Sequence, residues 1–177
     1  MTKKITLSGI FIAMAMVLSF IESLIPMNFG IPGVKLGLAN IVSLTALFVL
    51  GPIYAIAIQI GRVVLTALMF GNMAGLLYSL SGGILSIAAM ILLFKIKRPF
   101  FGIIAISVLG AVFHNIGQIT AASLIVQDLR ISYYLPILML SGVVTGVFVG
   151  LICKYLIKGL LKTNFIELHD DHSINRL

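Results

Sequence analysis

Long apolar stretches, broken by short polar or Pro/Gly-rich segments, recur along the whole chain and predict six membrane-crossing helices. The predicted spans run from about Ile5 to Ile25, Leu36 to Leu50, Ile53 to Phe70, Leu76 to Phe94, Phe101 to Val126, and Leu135 to Ile157. A spanning helix needs roughly 20 apolar residues, and the second run falls short of that. Gly51-Pro52 ends it sharply, so it is expected to enter the bilayer as a partial helix. Before it lies PMNFGIPGVKLG, in which Pro26 and Pro32 bracket a Gly-rich crossing that contains Lys35. Irregular backbone at membrane depth must be covered by protein or line a cavity. This crossing is therefore either a plain extracellular loop or a loop that caps a binding cavity. A second Gly-flanked turn, FGNMAG, joins spans 3 and 4, and Tyr78, Ser79, Ser81, Gly82 and Gly83 crowd the start of span 4.

Composition agrees with the pattern. The 177 residues are 60% hydrophobic and 10% charged, with a mean hydropathy of +1.20. Soluble domains carry about a quarter of their residues as charged ones, so there is too little polar surface here to wrap so much apolar sequence. The fold class expected is all-α: a polytopic membrane protein whose six helices form one domain over residues 1–160. A cytoplasmic, peripheral tail follows over 161–177. The first span has a short basic start, but SLIPMN is a poor cleavage region, so it is expected to be a retained helix.

Charge sets the orientation. The formal net charge of +7 could point to nucleic acid in a soluble chain, but no nucleic-acid partner is expected here. Eight of the twelve basic residues fall in three clusters, Lys3/Lys4, Lys95/Lys97/Arg98 and Lys154/Lys158/Lys162, each beside a span end. Such clusters mark the cytoplasmic side. Six spans with both termini in the cytoplasm put all three clusters on that side. Glu22, Lys35, the Gly71–Gly75 turn and Asp128/Arg130 then lie outside, with Tyr133/Tyr134 as an interfacial anchor.

Arg62 is the sharpest polar signal, about ten residues into span 3 and with no other charge until Lys95. A charge near the bilayer centre costs a few kcal/mol or more and faces a bundle interior or a polar cavity. Arg62 is either one half of a structural ion pair with Glu22 or a substrate anchor offering its donors to a carboxylate or phosphate. Lipid-headgroup contact is the third reading. His114 and Gln118 share a helical face at i,i+4, with Asn115 beside them. They are either interhelical glue or ligand contacts, because polar groups in hydrocarbon need partners. Asn40 is the polar residue of span 2. Two small-residue patterns stand out. Gly9 and Ala13 lie four apart in span 1, with Ala15, Ser19 and Ser23 continuing at the same spacing, and Gly142, Gly146 and Gly150 lie four apart in span 6. The span 1 face has either an internal helix or a separate subunit as its partner.

No chemistry of its own is visible, and neither a cofactor nor a catalytic residue is expected. There is no phosphate-binding G-x-x-x-x-G-K-[ST] loop, so any ATP use belongs to partner proteins. Of the five acidic residues, Glu167, Asp170 and Asp171 lie in the tail, which leaves no paired aspartates to hold magnesium against a diphosphate. Cys153 is the single cysteine, so there is no disulfide framework. One buried histidine is weak evidence for a metal, and His169 and His172, beside Asp170 and Asp171, read as a solvated end. No metal site is expected.

The elements PMNFGIPGVKLGLANI (Pro26–Ile41), FGNMAGLLYSLSGG (Phe70–Gly83) and VFHNIGQITAA (Val112–Ala122) resemble the Gx transporter family, often labelled component I of heptaprenyl diphosphate synthase. The resemblance runs from about Leu7 to Ile157. That family is similar to the substrate-binding S components of energy-coupling factor transporters, which implies a six-helix, S-component-like bundle. It also implies a small vitamin-like ligand held near the outer side, a transmembrane coupling subunit and two ATPase subunits. By this resemblance Gly9, Ala13 and Ser19 match the face that docks the coupling subunit, although S components often carry Ala-x-x-x-Ala there. The crossing with Glu22 and Lys35 corresponds to the gate, and Arg62, Asn40, Tyr78, His114, Asn115 and Gln118 to cavity-lining residues. Candidate ligands are an isoprenoid precursor, a quinone-related molecule or a flavin-related molecule. The alternative is a non-catalytic accessory subunit of a prenyl diphosphate synthase or of a flavin/quinone-linked redox system. A polar, outward-facing cavity favours transport, and a dry interior with Arg62 paired to Glu22 favours the accessory role.

Overall fold

The computed structural model describes residues 2–24, 37–70, 73–96, 102–163 and 168–169, apart from the side chains of Ser23, Phe70, Met73 and Ala74. The crossing with Lys35, the Gly71–Asn72 turn, the Lys97–Phe101 segment and most of the tail lie outside the described residues. Among the described residues there are six α-helices: α1 (Thr2–Leu24), α2 (Leu38–Val49), α3 (Pro52–Phe70), α4 (Met73–Lys95), α5 (Ile103–Val126) and α6 (Leu135–Lys162). A short 3₁₀ turn, Leu129–Tyr134, precedes α6, and Asp128 caps it by accepting from the Arg130 backbone N–H at 2.9 Å. No strand occurs among the described residues.

Five of the helices are long and apolar enough to cross a bilayer, and the protein is a multi-pass membrane protein. The exception is α2. Its 12 residues extend about 18 Å at 1.5 Å per residue, short of a hydrocarbon core of about 30 Å. This is the partial helix expected from the sequence. Unlike its neighbours it is buried on every side, from Ile41 through Leu50. An all-round apolar helix belongs in a core, and α2 packs against α1, α3 and α6.

Alternating helix directions bring the start of α1, the α2–α3 turn, the end of α4, the start of α5 and the end of α6 to one end of the bundle. There the interior is solidly filled. Leu47, Phe48, Leu50, Ala55, Ile58, Phe94, Ile103, Ile106 and Ile157 form one apolar cluster, with Leu7, Tyr54 and Leu160 packed on it. The rings of Phe48 and Phe94 meet edge to face at 5.2 Å. Lys3, Lys4, Lys95, Lys158 and Lys162 belong to this end, and the Lys4 ammonium stands over the Tyr54 ring at 5.8 Å.

The small residues of α6 find their partner inside the chain. A Cβ on Gly146 would lie 2.6 Å from the Cα of Val108, and one on Gly150 would lie 2.8 Å from the Cα of Ile104. Residues without side chains let the α5 and α6 backbones approach this closely. The tail is not wholly peripheral. Leu168 packs against the apolar cluster, and the His169 backbone N–H donates to the Phe48 carbonyl at 2.9 Å. The His169 ring lies over Gly51, whose φ of +97° turns the chain from α2 into α3.

Candidate functional site

Toward the other end of the bundle the packing opens into a cavity of about 360 Å³, reached by all six helices. Its polar wall comes from Ser19 and Glu22 on α1, Asn40 on α2, Arg62 and Thr66 on α3, Ser79 and Ser86 on α4, Ser107, His114, Asn115 and Gln118 on α5, and Thr145 on α6. Leu44, Met90 and Val149 form part of its apolar lining. This size is at the small end of the range for small-molecule sites.

Arg62 is the centre of the arrangement. It is 8% exposed, and two neutral side chains hold it: its Nε donates to Gln59 Oε1 at 3.0 Å and one Nη to Asn40 Oδ1 at 3.1 Å. Gln59 is itself fixed from α2, where Ser43 Oγ donates to the same Oε1 at 2.7 Å. The chain Ser43–Gln59–Arg62–Asn40 therefore ties α2 to α3 and presents a guanidinium whose orienting partners carry no charge.

The ion pair with Glu22 does not form. Among the described residues no carboxylate reaches ion-pairing distance of Arg62, although Glu22 lines the same cavity. The Glu22 carboxylate is engaged elsewhere: its Oε1 accepts from the backbone N–H of Gly37 at 2.6 Å. Gly37 adopts the left-handed conformation, with φ +73°, as the residue preceding α2, and no side chain of its own caps that helix. Glu22 thus supplies negative charge to an N-terminus with orphan amide donors and a positive dipole end. It also bridges the two edges of the crossing that contains Lys35.

Arg62, Asn40, His114, Asn115 and Gln118 come together at the cavity, whereas Tyr78 does not line it. Asn115 also ties helices, its Nδ2 donating to the Leu138 carbonyl at 2.6 Å. Gln118 and His114 pack over Gly82 of α4, where a Cβ would come within 2.7 Å of the Gln118 side chain. Gly9 and Ala13 are exposed on α1, with nothing within 4 Å of a Cβ built on Gly9. At about 100° per residue they lie across the helix from the buried Phe11 and Ala15. Ser19 leaves that face and joins the cavity wall instead. Among the described residues no cluster of three metal-ligating side chains occurs.

Sequence reasoning did not place Gln59, Ser43, Thr66 or Ser86 in the site. For three of them the signal was present: Gln59 and Thr66 stand three residues before and four after Arg62, on one face of α3. Ser43 stands three after Asn40 on α2. Ser86 carried no comparable spacing signal, because its relation to the site arises from the packing of α4 on α5.

Comparison with known proteins supplies one match. A family model described as heptaprenyl diphosphate synthase component I covers residues 11–156. No curated protein and no solved structure matches the chain.

Proposed function

We propose that this chain, which belongs to the heptaprenyl diphosphate synthase component I family, is the membrane-embedded substrate-binding subunit of a small-molecule uptake transporter. In role it would stand with the S components of energy-coupling factor transporters. The supporting observation is the polar cavity around a buried arginine that has no ion-pair partner among the described residues. A purely scaffolding subunit has no need of such a space, and a buried cation left so is costly unless something fills the site.

Orientation follows from charge. Basic residues gather at the packed end, and the positive-inside rule assigns that end to the cytoplasm. Both termini of the 1–160 helical domain and the 161–177 tail are then cytoplasmic, and the cavity lies toward the outside of the cell membrane. Arg62 anchors the substrate, Asn40 and Gln59 aim it, and His114, Asn115 and Gln118 contact the substrate from α5. Glu22, through Gly37, controls how the crossing with Lys35 meets α2, which is the gate. The exposed Gly9/Ala13 face of α1 offers a close-packing surface to a transmembrane coupling subunit, whose ATPase partners drive the cycle.

The family's description favours a second reading, a membrane accessory subunit of a prenyl diphosphate synthase. Native mass spectrometry of the full chain, extracted gently from its own host, separates the two. Co-purification of a coupling subunit with ATPases, lost in Ala13→Phe, is the expected result. A stoichiometric prenyl synthase with no ATPase module would overturn the transport reading.

A further inference from the structure

We infer that the Arg62–Thr66 face of α3 holds the oxyanion of a compact amphipathic monoacid, a ligand class that rests on the small-molecule reading above. Three observations carry it. First, the guanidinium is oriented by two amide oxygens and paired with no carboxylate among the described residues. The sequence leaves few alternatives. Asp128 caps the 3₁₀ turn, Glu22 is engaged by Gly37, and of the tail whose sequence holds Glu167, Asp170 and Asp171 the described pair Leu168–His169 packs at the opposite end of the bundle. A ligand oxyanion supplies acceptors for further N–H groups of the guanidinium.

Second, Thr66 stands one turn beyond Arg62 on the same face and lines the same cavity. Its hydroxyl is buried and has no hydrogen-bond partner among the described residues. A threonine in a helix ordinarily returns its hydroxyl to the carbonyl four residues back, as Thr45 does to Ile41 at 2.7 Å. Thr66 does not, and a buried hydroxyl left unpaired is costly. A turn of χ1 between staggered wells re-aims it, and an oxyanion bound to Arg62 is the acceptor it lacks. On α4 the Ser86 hydroxyl, 1% exposed, lines the same cavity, is likewise without a partner among the described residues and takes a second polar group of the ligand.

Third, the charge count limits the anion. Arg62 is the one cation among the described lining residues, and Glu22 shares the wall. Arg62 and Glu22 sum to zero, so an anion leaves the site net negative, and a single negative charge is the smallest such excess. A phosphate monoester, at about −1.5 to −2 near neutral pH, exceeds it. The apolar body of the ligand rests on Leu44, Met90 and Val149.

The test is equilibrium dialysis of the full chain in lipid nanodiscs, corrected with empty nanodiscs, using 4-phenylbutyrate, its neutral isostere 4-phenylbutanamide, and 3-phenylpropyl phosphate. The carboxylate is expected to bind about tenfold or more tighter than the amide, with the phosphate weaker than the carboxylate. Arg62→Gln should erase the carboxylate–amide difference. The near-isosteric Thr66→Val should weaken the carboxylate about tenfold while leaving the amide unchanged. Equal binding of carboxylate and amide, or a preference that survives Arg62→Gln, overturns the monoacid. A preference for the phosphate overturns the charge count, and an unweakened carboxylate in Thr66→Val removes the hydroxyl from the site. No binding of any probe overturns the ligand class as well. It would leave the transport reading standing wherever the coupling module is still captured, so the two failures are distinguishable.

Discussion

Replacing Gln59 with leucine isolates the device that holds Arg62 in place. Gln59 is 2% exposed, and its single carbonyl oxygen accepts from both Ser43 Oγ at 2.7 Å and Arg62 Nε at 3.0 Å. Leucine fills a similar volume and removes that acceptor, and with it both bonds. The bond from the charged guanidinium contributes about 1.5–3 kcal/mol and the hydroxyl bond about 1 kcal/mol. Part of this is offset, because the Gln59 Nε2 is already buried without a partner among the described residues. Deleting that stranded donor returns about 1–3 kcal/mol. The net expectation is a loss of about 1–2 kcal/mol in reversible SDS unfolding from mixed micelles. Ser43→Ala completes a double-mutant cycle. Alone it should cost about 0.6–1 kcal/mol, in line with side-chain hydrogen bonds inside membrane proteins. On the Gln59→Leu background it should cost nothing, since the hydroxyl has already lost its acceptor, so the two changes should couple by nearly that full amount. Stability of Gln59→Leu within about 0.5 kcal/mol of the parent, together with strict additivity, would refute the network as the element that positions Arg62.

Two further substitutions probe the frame around the site. Gly146→Val places a Cβ 2.6 Å from the Val108 Cα, so α5 and α6 must separate; a loss of about 1–3 kcal/mol is expected, and an unchanged unfolding midpoint would contradict the close helix approach. Gly51→Ala meets both a φ of +97° and the His169 ring at 2.7 Å. It should release the Leu168–His169 contact at a backbone cost of about 1–3 kcal/mol, read as faster limited proteolysis of the tail, and an unaltered cleavage rate would show that the contact does not protect the tail.

Much of the architecture is legible in the order of residues, because a bilayer removes most alternatives. Backbone polar groups must be satisfied within helices, so apolar runs bounded by Gly51-Pro52 and by the Lys95 cluster declare their helices with little help from packing. The short second run already implied a helix that does not span. Arg62, Asn40 and the His114–Gln118 group stood out for the same reason, since polar groups in hydrocarbon need partners. Which partners they have was decided by tertiary structure. Glu22 caps α2 through Gly37 instead of pairing with Arg62, a choice that depends on where the end of one helix meets the start of another fifteen residues on. The Gly142–Gly150 face turned inward onto α5, whereas Gly9 and Ala13 turned outward. Small-residue spacing is identical in the two cases, so local pattern alone could not separate them. Tyr78 left the cavity while Gln59, Thr66 and Ser86 entered its walls or its support, because the rotation of α3 and α4 about their own axes is set by helix packing. Sequence by itself determined that the chain folds as a bundle of apolar helices, about where each lies and which residues need an explanation; packing determined which way each helix faces, and therefore which of those residues share one cavity.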